Sequence, residues 1–505
     1  MINANLYTLL ESGFPANREA VAIETPERLY SWNDIEQMSA RLANFLCALD
    51  LPAGARVAVQ VEKSPEALML YLATIRAGLV YLPLNTAYRA GEVEYFLQDA
   101  QPSVLVCSTH NLQWIRPLAE KNGTAHVYTL DEESTGTLLT AAMNQSSRFE
   151  TAVSQPDDLA AILYTSGTTG RSKGAMLSHR NLSSNAQVLN DYWGWNKDDV
   201  LLHMLPIFHV HGLFVASHGA LLAGARMIWL PKFDVDAALR YLPESTVMMG
   251  VPTYYVRLLA DPRFTHEVCR HMRLFVSGSA PLLTETFIEF QSRSGHTILE
   301  RYGMSETIML TSNPYDPALG KRVGGTVGLP LPGVSVRVVD DAGQTLAAGE
   351  IGNVQVRGPN VFSGYWRMPE KTREEFTVDG WFKTGDVGRW DAANYLSIVG
   401  RSKDLIISGG FNIYPKEIET LIDELPGVAE SAVIGVPHAD FGEAVVAVVV
   451  AKAGAVVDGP GLISDLKARI ANFKVPKRVH VVPELPRNTM GKVQKNILRE
   501  TYKEG

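Results

Sequence analysis

Short apolar runs alternate with amphipathic stretches through the first two-thirds of the chain. Arg56-Val57-Ala58-Val59-Gln60-Val61 reads as a strand and Pro65 to Ala77 as a helix. Tyr81-Leu82-Pro83-Leu84-Asn85 and Ser103-Val104-Leu105-Val106-Cys107 are further extended pieces. Ser31 offers an N-cap to a helix whose apolar positions Ile35, Met38, Leu42 and Phe45 recur at helical spacing. Leu159 to Leu163 predicts a buried strand, and Ser178 caps a helix through roughly Trp193. Apolar runs ending at Met204-Leu205-Pro206, Gly250-Val251-Pro252, Ser277-Gly278-Ser279 and Tyr302-Gly303-Met304 predict strands that break into tight turns. Strands alternating with helices predict an α/β layered architecture, in which ligands sit outside the carboxyl ends of the strands.

From about residue 320 the texture changes to Val-rich runs with Gly and Pro punctuation, as in 334–339, 352–357 and 395–399. These predict an antiparallel β subdomain or barrel. After the charged connector Arg401-Ser402-Lys403-Asp404 a smaller α/β unit begins, with helices over 416–424 and 461–471 and strands over 431–436 and 445–450.

Composition narrows the function classes. A chain of 505 residues exceeds one core, and 46% hydrophobic with 20% charged residues describes an ordinary globular protein. A net charge of −8 without a basic tract argues against nucleic acid. Cys47, Cys107 and Cys269 lie far apart in apolar surroundings, read as reduced core residues that exclude a thiolate zinc cluster. Met1 to Asn5 lacks the blocks of a signal peptide, and no apolar run is long enough to span a bilayer. The expectation is a cytoplasmic enzyme.

The chemistry centres on Tyr164-Thr165-Ser166-Gly167-Thr168-Thr169-Gly170-Arg171-Ser172-Lys173-Gly174. Three glycines, hydroxyls and two cations between a strand and a helix suit a polyphosphate held through backbone N–H groups and charge. The loop is not a Walker A motif, because no Gly-Lys-Ser/Thr opens a helix there. Glu306, beside Ser305 and Thr307 in a turn after a buried strand, fits Mg²⁺, which takes one or two carboxylates plus phosphate oxygens and water. His209 and His211 share a face if extended, but no nearby ligand completes a zinc set. Arg257 sits among aromatic and aliphatic neighbours, and an arginine in an apolar wall calls for an anion. A substrate carboxylate is such an anion, gripped bidentately with Ser277 or Ser279 and His209.

Taken together and in this order, the Tyr164–Gly174 loop, Tyr302-Gly303-Met304-Ser305-Glu306, Thr384-Gly385-Asp386, Gly400-Arg401-Ser402-Lys403-Asp404 and Pro486-Arg487-Asn488-Thr489-Met490-Gly491-Lys492 resemble the adenylate-forming family of acyl-CoA synthetases, luciferases and peptide-synthetase adenylation domains. The resemblance covers nearly the whole chain. It implies a large N-terminal domain of layered α/β subdomains plus a β subdomain over 1–402, and a small mobile C-terminal α/β domain over 403–505. It further implies that Thr165 to Lys173 hold the ATP phosphates, that Ser279, Ala280 and Tyr302, with Gly303 and Met304 beside them, flank the adenine, and that Asp386 and Arg401 bind the ribose. Glu306 with Thr168 would hold Mg²⁺. Lys403 resembles the hinge, Lys492 the adenylation lysine, and Gly409-Gly410-Phe411 the loop beside the pantetheine channel. His209 joins Lys492, Glu306 and Thr168 among the expected catalytic residues. Within the family the chain most resembles the malonyl-CoA synthetases, on 206–212, 250–257, 300–306 and 361–371, which implies malonate, ATP and coenzyme A as substrates. A short- or medium-chain fatty acyl-CoA ligase is the alternative within the family, and a non-catalytic ligand-binding relative the alternative outside it.

Overall fold

The computed structural model describes residues 3–165, 172–408, 411–438, 442–488 and 491–503. Two mostly parallel sheets carry the first three hundred residues. In one, the strands Arg56–Gln60, Val80–Pro83, Val104–Cys107, His126–Thr129 and Leu159–Thr165 run parallel, and Lys173–Ser178 closes the edge antiparallel. In the other, Val21–Glu24, Arg226–Trp229, Val200–His203, Val247–Gly250, Leu274–Ser277 and Leu299–Tyr302 form the parallel centre, with antiparallel strands at both edges.

Sequence dictates much of this locally. Ser31 caps Trp32–Cys47 in a capping box with Asp34, and Ser178 does the same for His179–Tyr192 with Asn181. The helix Pro65–Arg76 is buried along its whole length between the sheets, which is why it shows no polar stripe. One apolar cluster runs continuously from Leu6 through Val57, Leu70 and Leu201 to Phe382, so the two sheets and the β subdomain share a core.

The β subdomain is a four-stranded antiparallel sheet, Ser335–Val339, Gly352–Arg357, Phe382–Trp390 and Leu396–Arg401 in that order, open at its edges and not a barrel. After the turn Ser402–Asp404 come the helices Pro415–Asp423 and Gly459–Arg469 and the long hairpin Val428–His438 with Gly442–Ala451. This last unit has its own apolar clusters, around Ile418 and Val445 on one face of the sheet and Ile434 and Leu498 on the other. Among the cysteines, Cys107 and Cys269 are buried as expected, but Cys47 is exposed at the last turn of its helix, where the apolar stripe has already passed. No helix among the described residues is long and apolar enough to cross a membrane.

Candidate active site

The four strands Val200–His203, Val247–Gly250, Leu274–Ser277 and Leu299–Tyr302 are neighbours in one sheet, and their carboxyl ends lead into the predicted residues from His209 and Ser277 to Tyr302 and Glu306. The two strands that flank the Gly-rich loop belong to the other sheet. Leu159–Thr165 turns back antiparallel as Lys173–Ser178 with Thr165 opposite Lys173, so the loop tips a hairpin. The helix expected with Ser178 as its cap starts at His179, after this second strand. Ser166, Gly167, Thr168, Thr169, Gly170 and Arg171 lie outside the described residues, as do Gly409 and Gly410. The hairpin itself is fixed. A Cβ on Gly174 would meet Ile162 Cγ2 at 2.8 Å, and Gly174 O accepts from the Trp366 N–H at 2.7 Å. That bond and the Ala175–Tyr365 bridge carry the Tyr365 side chain into the site.

There the Tyr365 hydroxyl donates to Glu306 Oε1 at 2.9 Å. Glu306 is buried, and burial raises its pKa above the usual carboxylate range while Tyr365, Lys173 and Arg401 pull it back. The Lys173 ammonium sits 4.3 Å from the Tyr365 ring centre and 3.6 Å from Glu375 Oε1. Among the described residues no group of three or more His, Cys, Asp or Glu side chains could cage a metal. A single buried carboxylate near Lys173 suits Mg²⁺, which takes one or two carboxylates and completes its shell with phosphate oxygens and water.

Asp386 has both carboxylate oxygens engaged: Oδ1 accepts from Arg401 Nε at 2.8 Å and Oδ2 from the Tyr302 hydroxyl. Its backbone N–H is tied to Thr384 Oγ1, and Asp386 pairs directly with Arg401 across the sheet. The Asp386 charge raises the Arg401 pKa, so that cation stays fixed. Gly303 permits an approach no other residue allows, since its Cβ would lie 1.9 Å from Ile308 O. Ser279 takes a left-handed φ of 71°, uncommon outside glycine, which turns the chain sharply at Ala280. Ala280 and Met304 are half-buried beside it.

Lys492 comes from the last unit and reaches the same place. Its loop is a tight turn in which Asn488 Oδ1 accepts from the Lys492 N–H at 3.0 Å, and Gly491 lies against Thr253. Surrounded by protein yet open to the cleft, the Lys492 ammonium is pushed down to about 8, by burial first and then by the Arg401 guanidinium. Lys403 is exposed in the turn Ser402–Asp404, and its neighbour Asp404 is held by Arg499 Nη2 at 2.7 Å.

The acyl pocket differs from expectation. Arg257 lies on the exposed face of the helix Pro252–Ala260, because its buried stripe is Tyr255, Leu258 and Leu259. The arginine that is buried is Arg301, at the second-to-last position of its strand. Among the described residues its Nε and Nη2 have no partner, and its Cζ lies 2.3 Å from where a Gly278 Cβ would stand. Burial lowers its pKa to about 9, so it keeps its charge at neutral pH. The Arg301 charge acts on His211, whose Nε2 is also buried and, among the described residues, unpartnered; Ser277 Oγ, likewise without a partner there, stands on the neighbouring strand in register with Glu300. His211, and not His209, contacts Ser279, with Nδ1 3.4 Å from Oγ. Burial and the Arg301 charge hold both histidines neutral, pushing His209 to about 4 and His211 well below its ordinary value.

A family model described as "AMP-binding enzyme" matches residues 12–366, and one described as "AMP-binding enzyme C-terminal domain" matches 417–492. The chain belongs to the AMP-binding enzyme family. Its relatives in that family include the malonate–CoA ligase of Arabidopsis thaliana, 34% identical over 96% of this chain and 86% of that protein. The indoleacetate–CoA ligase of Aromatoleum aromaticum is 36% identical over 95% of this chain and 94% of that one. Identity at this level therefore does not by itself choose the acid. ATP-bound MatB from Rhodopseudomonas palustris is 56% identical over 100% of this chain and 99% of its own, with a TM-score of 0.97. The apo form of MatB superposes at 0.86, so this AMP-binding enzyme has the arrangement of the ATP-bound one.

Two residues that build the site drew no separate reading from the sequence. Tyr365 and Arg301 stood inside motifs without a role of their own. The signal for Arg301 was present: a charged pair, Glu300-Arg301, inside an apolar strand must bury at least one charge.

Proposed function

We propose that this chain is an ATP-dependent malonate–CoA ligase, converting malonate, ATP and CoA to malonyl-CoA, AMP and pyrophosphate in the cytoplasm. Arg301 carries the choice of acid. A buried guanidinium without a carboxylate partner is costly, and native interiors leave few such groups unexplained. Malonate has the missing partner: one carboxylate reacts while the other pairs with Arg301, Ser277 and His211. A fatty acid of short or medium length would put a methyl group against that cation and leave it unanswered.

The steps follow from the residues. One malonate carboxylate attacks the α-phosphorus of ATP and pyrophosphate leaves. Glu306 would hold Mg²⁺, with Thr168 as a second ligand, and the ion when bound neutralises phosphate charge. Lys492 places an ammonium at the same centre, where charge builds up on oxygens already anionic. Asp386 and Arg401 orient the ribose. The CoA thiolate then attacks the carbonyl of malonyl-adenylate and AMP leaves. Lys492 serves only the first step, so the unit from 403 onward rotates about Lys403 between the two.

The test is discrimination between acids. Arg301→Leu removes the cation, so the distal carboxylate enters the pocket unpaired. The penalty is about 3–5 kcal/mol, or roughly a thousandfold in kcat/KM for malonate. Butyrate is expected to be used no worse. Arg257→Leu, on the outer helix face, is expected to leave both acids unchanged. Equal loss for malonate and butyrate in Arg301→Leu would overturn the assignment.

A further inference from the structure

Lys63 is a second buried cation for which the reaction gives no use. It follows the strand Arg56–Gln60 of one sheet, and its ammonium is inserted at the carboxyl ends of two strands of the other. Nζ meets His203 Nδ1 at 3.0 Å, His203 O at 2.8 Å and Leu230 O at 2.7 Å, and lies 4.4 Å from the Trp229 ring centre. No carboxylate pairs with it among the described residues.

Counting protons settles the state of this cluster. His203 Nε2 lies 3.1 Å from Gly212 O, which has no hydrogen to give, so Nε2 carries the ring proton. The Ser217 hydroxyl, also 3.1 Å from Nε2, donates to Gly212 O at 2.9 Å and is free to accept. His203 Nδ1 is then bare, because burial keeps the ring neutral. Three acceptors therefore face Nζ and take three protons, which makes Lys63 an ammonium even though burial alone drives its pKa down.

Gly212 and Ser217 are the second and last residues of the π-helical turn His211–Ser217, an irregular geometry found mostly at functional sites. Gly212 is packed so closely that a Cβ would lie 2.1 Å from Pro206 O. The first residue of this turn is His211, which faces Arg301. We propose that Lys63 is a positioning residue: it fixes the tautomer of His203, which pins the His211–Ser217 turn and so aims His211 at the substrate's distal carboxylate. This rests on the reading of the Arg301 pocket as the carboxylate site.

Two measurements test it. In protein labelled with ¹⁵N-histidine, the His203 ring, assigned with a His203→Gln sample, is expected to show a protonated Nε2 and a bare Nδ1. A proton on Nδ1 would overturn the proposal without touching the Arg301 reading, which stands or falls on acid discrimination. In kinetics, Lys63→Met is expected to raise the malonate KM by about tenfold or more, with the MgATP KM within about twofold. Gln at position 203 donates to Gly212 O with no tautomer to choose. Adding Lys63→Met to His203→Gln is therefore expected to change the malonate KM by less than about twofold. Independent, multiplying effects in the double variant would refute the mechanism, as would equal rises in both KM values for Lys63→Met. If Lys63→Met does not fold, the ring spectrum of the unsubstituted protein still decides.

Discussion

A lysine that titrates near 8 leaves a visible mark on the first half-reaction. Lys492 must be protonated to face the phosphates, and its surroundings lower it from 10.5 to about 8. At pH 7 roughly nine-tenths of the free enzyme then carries the charge, at pH 8 about half and at pH 9 about one-tenth. With sub-saturating MgATP, malonate-dependent pyrophosphate release is expected to fall about tenfold per pH unit above that midpoint. Saturating MgATP brings phosphate charge against the ammonium and favours the protonated form, so the same limb moves to higher pH in kcat. Thioester formation from supplied malonyl-adenylate is the internal control. It is expected to rise over the same range, because the thiolate is the nucleophile and its share of the CoA thiol grows with pH. Lys492→Arg keeps a charge that cannot titrate, so whatever activity it retains should lose the alkaline limb. A limb that persists in Lys492→Arg, or a flat profile in the unsubstituted enzyme, would refute the reasoning.

Three further outcomes follow from the geometry. Tyr365→Phe removes the only side-chain donor to Glu306 Oε1 among the described residues, a bond to a buried charged group worth about 1.5–3 kcal/mol. The acid limb of pyrophosphate release is expected to move up by about 1–2 pH units; no movement would mean that Glu306 is not ionised in that step. Glu300 is held protonated to about 8 by burial, against 4.5 unfolded. Folding therefore takes up a proton between those values, so its contribution is complete below 4.5 and is lost as pH rises to about 8. Glu300→Gln keeps an acceptor for the Gly325 N–H and is expected to raise Tm at about pH 8 and hardly at about pH 5. Equal shifts at both would show that Glu300 does not titrate in this way. Lys403→Pro fixes φ at the hinge and is expected to preserve one half-reaction and abolish the other; full turnover would place the hinge elsewhere.

The layered α/β architecture was legible because buried parallel strands are short unbroken apolar runs, and because Ser31 and Ser178 mark their helix starts in the residues themselves. Arg257 shows where such reading fails. Its neighbours are apolar, but on a helix the neighbours in sequence point in other directions, and only the i, i+3, i+4 stripe of Tyr255, Leu258 and Leu259 turns inward. Arg301 was hidden by the converse rule, since side chains in a strand alternate between faces and both faces of this strand are covered. The hairpin around the Gly-rich loop was missed because Lys173–Ser178 is too short and mixed to show a period. Lys63 has no sequence signal at all: its partners are 140 and 167 residues away.

The unanswered charge of Arg301 bears on how long the protein lasts in a cell. Malonate binds the folded chain alone, and at a hundred times its Kd it adds about 2.7 kcal/mol of stability, lowering the unfolded fraction roughly a hundredfold. Proteases draw on that unfolded fraction. A cell short of malonate is therefore expected to clear this ligase faster than one well supplied, so that the amount of enzyme follows the supply of its acid. Half-lives measured with and without malonate in the medium, in the unsubstituted protein and in Arg301→Leu, would show the difference in the first and none in the second.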